Sequence, residues 1–523
     1  MRFHAEPIDF TPQPGCGAPV WTGRAVDGED LQRFAISVHR HGGRLAALWG
    51  EDRRAQGAGF RLHCVFALDE GHPWLVLDLP ADNPVYPDLA GIFPAANRMQ
   101  RAARDMVGIG FDGGDQRPWL RHGAWPADWY PLRHDAAQLA NEAPEYPNLP
   151  SDYDFVQVGG EGAHEIPVGP IHAGIIEPGH FRFSVIGERV LRLEQRLGYQ
   201  HKGVERRFVG ADLPTGARLV GRISGDSTCA YAWAYAAAAE AACGVEPPPR
   251  ALALRALLLE RERVANHLGD LGALGNDAAL AFGLTQFMRL KEDWLRLNAE
   301  LCGHRYLMDR IVPGGVTHDL DAPALARLVE QCERFAREVK TLRRIYDEHA
   351  GLQDRFLTTG IIDAALAQEL SLSGMAARAC GIVLDGRAHR QDYTPPPPYA
   401  ALCVRPATDE RGDVAARVAV RFDEIFESLR LLRELAVGLP AGPLRAELAP
   451  VAGGMGLGVV EGWRGEVLVG LQFDAAGKLA RVHPHDPSWQ CWPALEIAVL
   501  KDIVPDFPLI NKSFNLSYSG ADL

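Results

Sequence analysis

A chain of 523 residues with 47% hydrophobic and 23% charged residues has the mix of a folded globular protein, too long for one small module. Lys+Arg is 54 and Asp+Glu is 67, so the formal net charge is −13, the wrong sign for a general nucleic-acid binder, and none is expected as a partner. No run reaches the roughly 18–20 uninterrupted apolar residues that cross a bilayer; the nearest, from Ala230 to Val245, is broken by Glu240, and the start lacks the basic-then-apolar pattern of a signal peptide.

Residues 1–140 read as a small α+β domain, with short strands at 61–68 and 74–79 and a helix at 97–107. Residues 141–167 read as a linker, because Pro144, Pro147, Pro150 and the Gly159–Gly160 pair oppose both helix and ladder pairing. Residues 168–523 read as a second, larger domain. It opens with a hairpin pattern, 182–186 and 190–194 around Gly187 and Glu188. From about residue 228 to 301 the pattern turns helical. Leu254, Leu257, Leu258, Val264, Ala265 and Leu268 keep a period near 3.6, and residues 323–348 and 414–439 repeat the pattern, with Pro323 suited to a first helical turn. The expected fold class is therefore α+β: a small N-terminal α+β domain, then a mainly helical bundle with edge β-hairpins. The bundle's many alanines would let its axes approach closely. Four prolines in a row, Pro395 to Pro398, predict an extended surface excursion.

Nine cysteines include no pair spaced by two residues, so neither a disulfide framework nor zinc or iron–sulfur ligation within this chain is expected. There is no Gly-rich nucleotide fingerprint after a strand either. Five polar constellations remain. The first, Gly169-Pro-Ile-His172-Ala-Gly-Ile-Ile-Glu177-Pro-Gly-His180, places two histidines in a Gly/Pro-rich loop, suited to carrying protons or simply to hydrogen-bonding a tight turn. The second holds His201 and Glu205, which would share a helical face, more often solvated than metal-binding. The third, Arg222-Ile-Ser224-Gly-Asp226-Ser227-Thr-Cys229-Ala-Tyr231, offers a helix cap at Ser227 or Thr228 and a cysteine that needs a basic neighbour to act as nucleophile. In the fourth, Glu260, Arg263 and His267 fall on one helical face, either a solvated face or an inward ion-pair and proton network. The fifth is the end of the chain, Asn515-Leu-Ser517-Tyr-Ser-Gly520-Ala-Asp522-Leu523, apolar enough to dock in the core.

Together these motifs resemble the large subunits of membrane-bound nickel–iron hydrogenases of the hydrogenase-4 and formate-hydrogenlyase type, and the related 49 kDa-type quinone-site subunit of respiratory complex I. The first and second constellations are similar to that subunit's entry hairpin and the segment after it, as are His304-Arg-Tyr306, Pro313-Gly-Gly-Val316, Gly381 with Asp385 and Arg387, and Arg464-Gly465. Phe93-Pro-Ala-Ala-Asn97, Asp105-Met-Val-Gly-Ile109 and Asp128-Trp-Tyr-Pro-Leu-Arg133 resemble the 30 kDa-type accessory subunit of complex I fused in front, although two acidic positions of its helix are Gln100 and Ala102 here.

The departures set the functional expectation. Such hydrogenases hold nickel and iron with two C-x-x-C pairs, because soft thiolates suit those metals. The first pair falls on Ser224 and Ser227 and the second on Ser517 and Gly520, so no metal and no active nickel–iron hydrogenase are expected. The resemblance implies a peripheral subunit of a membrane-bound, ion-translocating oxidoreductase, on the cytoplasmic side of the inner membrane. Its partners would be membrane-embedded ion-translocating subunits and a small subunit whose iron–sulfur cluster delivers electrons. In that reading a quinone or other carrier is reduced where hydrogenases hold the metal, with His172, His180, Asp226 and Tyr231 as catalytic candidates and Arg222, Ser224, Ser227 and Ser517 lining the site. The complex I tyrosine and histidine positions read Gly225 and Ile176 here. The alternative is a redox-silent scaffold or coupling subunit, which a cavity packed shut around Ser224 and Ser517 would favour.

Overall fold

The computed structural model describes residues 8–15, 17–121, 123, 125–126, 128–136, 153–172 and 176–523. Residues 141–152 of the expected linker lie outside these, while the strand Ala163–Val168 begins within it and ends on the first residue of the expected second domain.

The N-terminal region is a five-stranded sheet in the order β1-β2-β5-β4-β3, made of Thr11–Pro12, Val20–Ala25, Arg44–Asp52, Phe60–Ala67 and His72–Leu79. β2 and β5 are parallel and the other pairs antiparallel. Helix α1 (Gly28–Arg40) starts where the Asp27 carboxylate accepts from the Asp30 N–H at 2.9 Å, filling one of the orphan donors of a helix end. A short parallel pair follows, β6 (Val85–Pro87) with β7 (Gly110–Asp112), on either side of helix α2 (Ala96–Val107). The strands and helix expected from the pattern are all present.

The larger region opens on an antiparallel sheet of β8 (Ala163–Val168), β9 (His180–Ile186) and β10 (Arg189–Arg196), the last two being the expected hairpin. The bundle is built from α3 (Thr228–Cys243), α4 (Pro249–Asp277) and α5 (Ala281–Cys302), then, past the small ribbon β11 (Ile311–Val312) and β12 (Gly315–Val316), α6 (Ala322–Glu348) and α7 (Val414–Val437). An antiparallel meander of β13 (Met455–Glu461), β14 (Glu466–Phe473) and β15 (Leu479–His485) completes it. The alanines of α3 serve a helix-on-strand contact. A Cβ at Gly456 or Gly458 of β13 would collide with the carbonyls of Ala238 and Ala234, so glycine on the strand and alanine on the helix set this spacing together. The proline run is less exposed than expected, with Tyr393 and Tyr399 at its ends buried.

The two regions share a packed boundary. Trp49 of β3 lies flat between the rings of His63 (4.8 Å) and His483 (4.7 Å), and its indole fills the space a Cβ at Gly470 would need. Trp74, Val76, Leu457, Val459 and Leu468 surround it in one apolar cluster. Glu466 of β14 reaches back to Arg44 at 2.8 Å and to His72 at 3.0 Å. Trp49→Ala opens a void at this joint and is expected to lower stability by about 3–5 kcal/mol in chemical denaturation, as large-to-small core changes do.

Candidate functional site

The turn between the helix Leu213–Val220 and α3 delivers Ser224, Asp226 and Ser227. The C-terminal helix Tyr518–Asp522 delivers Ser517 and Gly520. The Ser224 and Ser517 oxygens lie 2.9 Å apart, and both residues are buried. The direction of this bond follows from its neighbours. The Ser224 hydroxyl donates to Asp226 Oδ1 at 2.6 Å, so Ser517 must supply the proton between the two serines; Ser517 in turn accepts from the Gly520 N–H at 2.9 Å. A one-way chain of hydrogen bonds thus runs from the C-terminal helix to a carboxylate. A Cβ at Gly520 would sit 2.9 Å from Ser517 Oγ and 2.6 Å from Asp486 Oδ2, so position 520 faces the same cluster.

Arg464, in the turn between β13 and β14, closes the cluster. Its guanidinium meets Asp226 at 2.5 and 3.1 Å and donates to Ser227 Oγ at 3.2 Å, while its Nε donates to the Asn515 carbonyl at 2.5 Å. The guanidinium lies 4.0 Å over the Trp463 ring, whose N–H donates to the Asp226 carbonyl and to Ser227 Oγ. Burial pushes the Asp226 carboxyl up, but Arg464 and the Ser224 hydroxyl outweigh it and hold the group at about 2. Glu262 of α4 behaves in the opposite way. It accepts the N–H groups of Cys229 and Ala230 at the start of α3, yet burial and the nearby Asp226 charge push it up to about 8.

Tyr231 is fully buried and donates to Asp486 at 2.8 Å, and its phenol is driven well above its ordinary range by burial and that carboxylate. Asp486 is tied back through Ser488, whose N–H it accepts and whose hydroxyl accepts from the Ser517 N–H. His172 and His180 serve their own loop. His172 Nε2 donates to the Gly179 carbonyl at 2.7 Å, and His180 Nδ1 donates to the Gly169 carbonyl at 3.2 Å. Arg182 donates to the other nitrogen of His180 at 3.3 Å, which requires a neutral ring, and burial lowers its proton affinity. The same loop touches the C-terminal segment through Glu177, which accepts from the Ser519 N–H at 3.2 Å.

Several sequence expectations change here. Arg222 forms an exposed bidentate pair with Asp309 at 2.7 Å; the cation that meets Asp226 is Arg464, read in the sequence only as part of the Arg464-Gly465 resemblance and not as a partner of Asp226. His201 precedes the short helix Val204–Phe208, so it shares no helical face with Glu205; Glu205 is buried against His483 and Arg481. Cys229 is buried beside Glu262, and burial plus that carboxyl drive its thiol up, the reverse of an activated nucleophile. Glu260, Arg263 and His267 do share a face, and it is inward. Glu260 is held by Arg387 at 3.0 Å and His267 by Glu424 at 2.7 Å. The edge of His267 meets Trp463, which joins this network to the cluster.

Comparisons with known proteins place the chain in a family. The family described as "Respiratory-chain NADH dehydrogenase, 30 Kd subunit" matches residues 25–142, and "Respiratory-chain NADH dehydrogenase, 49 Kd subunit" matches residues 270–453. Hydrogenase-4 component G of Escherichia coli is 30% identical over 498 residues, covering 92% of this chain and 84% of that protein. Formate hydrogenlyase subunit 5 of Escherichia coli is 29% identical over 92% of this chain and 85% of its own length. An NADH-quinone oxidoreductase component of Gluconacetobacter diazotrophicus is 26% identical over 71% of this chain and 64% of its own length. Among solved structures, a chain of an archaeal respiratory membrane complex, the membrane-bound sulfane sulfur reductase, superposes with a TM-score of 0.65 at 24% identity, covering 69% of this chain and 99% of that one, and shares the fold.

Two pH signatures follow. The depressed Asp226 carboxyl contributes stability that is present above about pH 4 and lost as pH falls toward 2. Asp226→Asn should remove that acid limb. At neutral pH it should cost roughly 1–3 kcal/mol, less than a fully buried pair because about a third of the Asp226 side chain is exposed. The raised Glu262 works on the other side. Its ionisation withdraws stability as pH rises from about 4.5 to 8, so Glu262→Gln should flatten the denaturation profile there, by an amount on the order of a few kcal/mol at most. Chemical denaturation across pH reads both.

Proposed function

Since the chain belongs to the family that joins 30 kDa-type and 49 kDa-type complex I subunits and includes hydrogenase-4 component G, we propose that it is the peripheral subunit of a membrane-bound, ion-translocating oxidoreductase in which a polar hydrogen-bonded cluster stands where hydrogenases hold nickel and iron. No described helix is long and apolar enough to cross a membrane, so attachment would come through membrane-embedded partner subunits. Electrons would arrive from an iron–sulfur cluster in a small partner subunit, on the cytoplasmic face.

The observation that carries this reading is the 2.9 Å contact between Ser224 and Ser517. Two alcohols that share a proton, beside a carboxylate already paired with a guanidinium, are hard, neutral or satisfied donors. A nickel–iron centre asks for soft, ionised thiolates. The donor set does not fit that centre, and no hydrogen turnover is derived for this chain. The cluster instead supplies a fixed dipole chain pointing at Asp226 and a carboxylate–guanidinium pair that responds to nearby charge.

With its donors and acceptors saturated, the cluster suits a redox-silent coupling or scaffold subunit better than it suits a carrier bound between Ser224 and Ser517. One observation favours a quinone nearby: Asp226 keeps about a third of its side chain exposed, so a headgroup brought to this face would meet a carboxylate. His172, His180 and Tyr231 would then have to exchange their present partners for it. Elemental analysis of the intact complex is expected to find no nickel in this subunit, and nickel seated between the two stretches would overturn the proposal. A quinone-reductase assay on that complex with and without Asp226→Asn separates the two roles. Loss of turnover at least tenfold supports a carrier at this cluster, unchanged turnover removes Asp226 from the mechanism, and an intact complex with no quinone-reductase turnover supports coupling without redox chemistry.

A further inference from the structure

A cavity of about 410 Å³, room for on the order of ten waters, lies between the N-terminal sheet and the bundle. Its rim is exposed at Pro14, His41, Asp69 and Pro397. Its floor is buried, with the ionisable groups Asp385, Arg387 and Glu461 beside the phenol of Tyr399. Behind that floor is one continuous ion network. Arg387 binds Asp385 at 2.7 Å and Glu260 at 3.0 Å, and Arg378 binds Glu424 at 2.5 Å and Glu461 at 2.8 Å. Arg263 lies between Glu260 at 3.3 Å and Glu424 at 3.5 Å, and His267 closes on Glu424. None of these eight side chains is more than a few per cent exposed.

The count is odd. Three guanidinium groups face four carboxyls, so full ionisation would leave one negative charge uncompensated in a buried cluster, where such a charge is costly. One proton resolves this, and the donors show where it belongs. His267 Nε2 donates to Glu424 while its Nδ1 is buried with no partner, so a second ring proton would be an orphaned donor. Glu260 accepts from Arg387 twice and from Arg263, Tyr399 and Ser428. Glu424 accepts from Arg378, His267 and Arg263. Asp385 accepts from Arg387 through both oxygens and from the Arg387 N–H. Glu461 receives one guanidinium hydrogen bond, from Arg378, and a long 3.4 Å contact from the Gly386 N–H. The groups facing it from neighbouring elements add nothing. Tyr393 gives its hydroxyl proton to the Gly386 carbonyl, Arg263 bonds the Glu461 carbonyl rather than its carboxyl, and its cross-strand partner Glu466 is held by Arg44 and His72.

We propose that Glu461 carries an exchangeable proton drawn from the water of this cavity, which makes the cavity and the network behind it a proton-loading site. Burial and the nearby Asp385 charge raise its carboxyl, in the same sense, against the opposing pull of Arg378. Ser224 and Ser517 do not line this cavity, although His267 and Trp463 link its network to their cluster, and the site does not depend on whether a carrier is reduced there. A unit change of charge anywhere along the network would be answered by this proton leaving or arriving.

Infrared difference spectroscopy on the full chain near about pH 7 tests it. Glu461→Gln should delete one protonated-carboxyl C=O band from the wild-type spectrum. Asp385→Asn should also abolish that band at the same pH, because three carboxyls then balance three guanidinium groups and Glu461 ionises. In the wild type, transfer into D₂O should shift the band far faster than the slowest core amides exchange, since the cavity opens to solvent. Asp385→Asn assigns the band independently, so a folding defect in Glu461→Gln leaves the test intact. A Glu461→Gln spectrum unchanged in the carboxyl region, a band that persists in Asp385→Asn, or deuteration no faster than the core amides would each overturn the proposal.

Discussion

A guanidinium removed from water has to meet acceptors, and in this chain several buried ones meet carboxylates from segments far apart in sequence. Arg464 joins the β13–β14 turn to Asp226 before α3, 238 residues away, and Arg378 joins its short helix Gly374–Arg378 to α7 and β13. Arg421 of α7 meets Asp270 of α4 at 3.0 Å. Removing one partner of such a pair strands a buried charge, a loss of about 3–5 kcal/mol, whereas the intact pair adds little net stability over apolar packing. The pairs therefore specify which segments meet more than they drive collapse, which falls to the apolar core.

That core makes the charged centre possible. The alanine face of α3 lies directly against the glycines of β13, so the helix start, with Ser227 and Thr228, is held at a fixed depth beside the turn that carries Trp463 and Arg464. The C-terminal helix completes the arrangement. Ser517 caps it by accepting from Gly520, and the Leu523 carbonyl accepts the N–H groups of Lys202 and Val204. The site is thus assembled from a helix start, a strand turn and a docked terminus, three rigid supports with little freedom to relax.

What such a centre does follows from the character of its donors. Thiolates at positions 224, 227, 517 and 520 would be anionic and soft. The present set is a directed chain of hydroxyls ending on a carboxylate that a guanidinium neutralises, and it has no free charge to offer a transition metal. Through Trp463 and His267 it touches a second buried network, in which three guanidinium groups face four carboxyls.

The periodicity of the chain is enough to predict the strands and helix of the N-terminal sheet, the β9–β10 hairpin and the long bundle helices, because apolar spacing is a local property that burial enforces residue by residue. That positions 224, 227, 517 and 520 carry serine and glycine and no cysteine can be read as plainly, since side-chain identity needs no geometry. The inward direction of Glu260, Arg263 and His267 stays open in the sequence, because a charged helical stripe looks the same whether it faces water or partners that lie elsewhere in the chain. Asp486, the partner of Tyr231, has no local mark, and Arg464 is marked only by the Arg464-Gly465 resemblance, with nothing to pair it with Asp226; Arg222 looks the better cation only because it is near in sequence. The tertiary structure alone decided those pairings, because a guanidinium 238 residues away becomes the nearest counter-charge only after β13 has packed against α3.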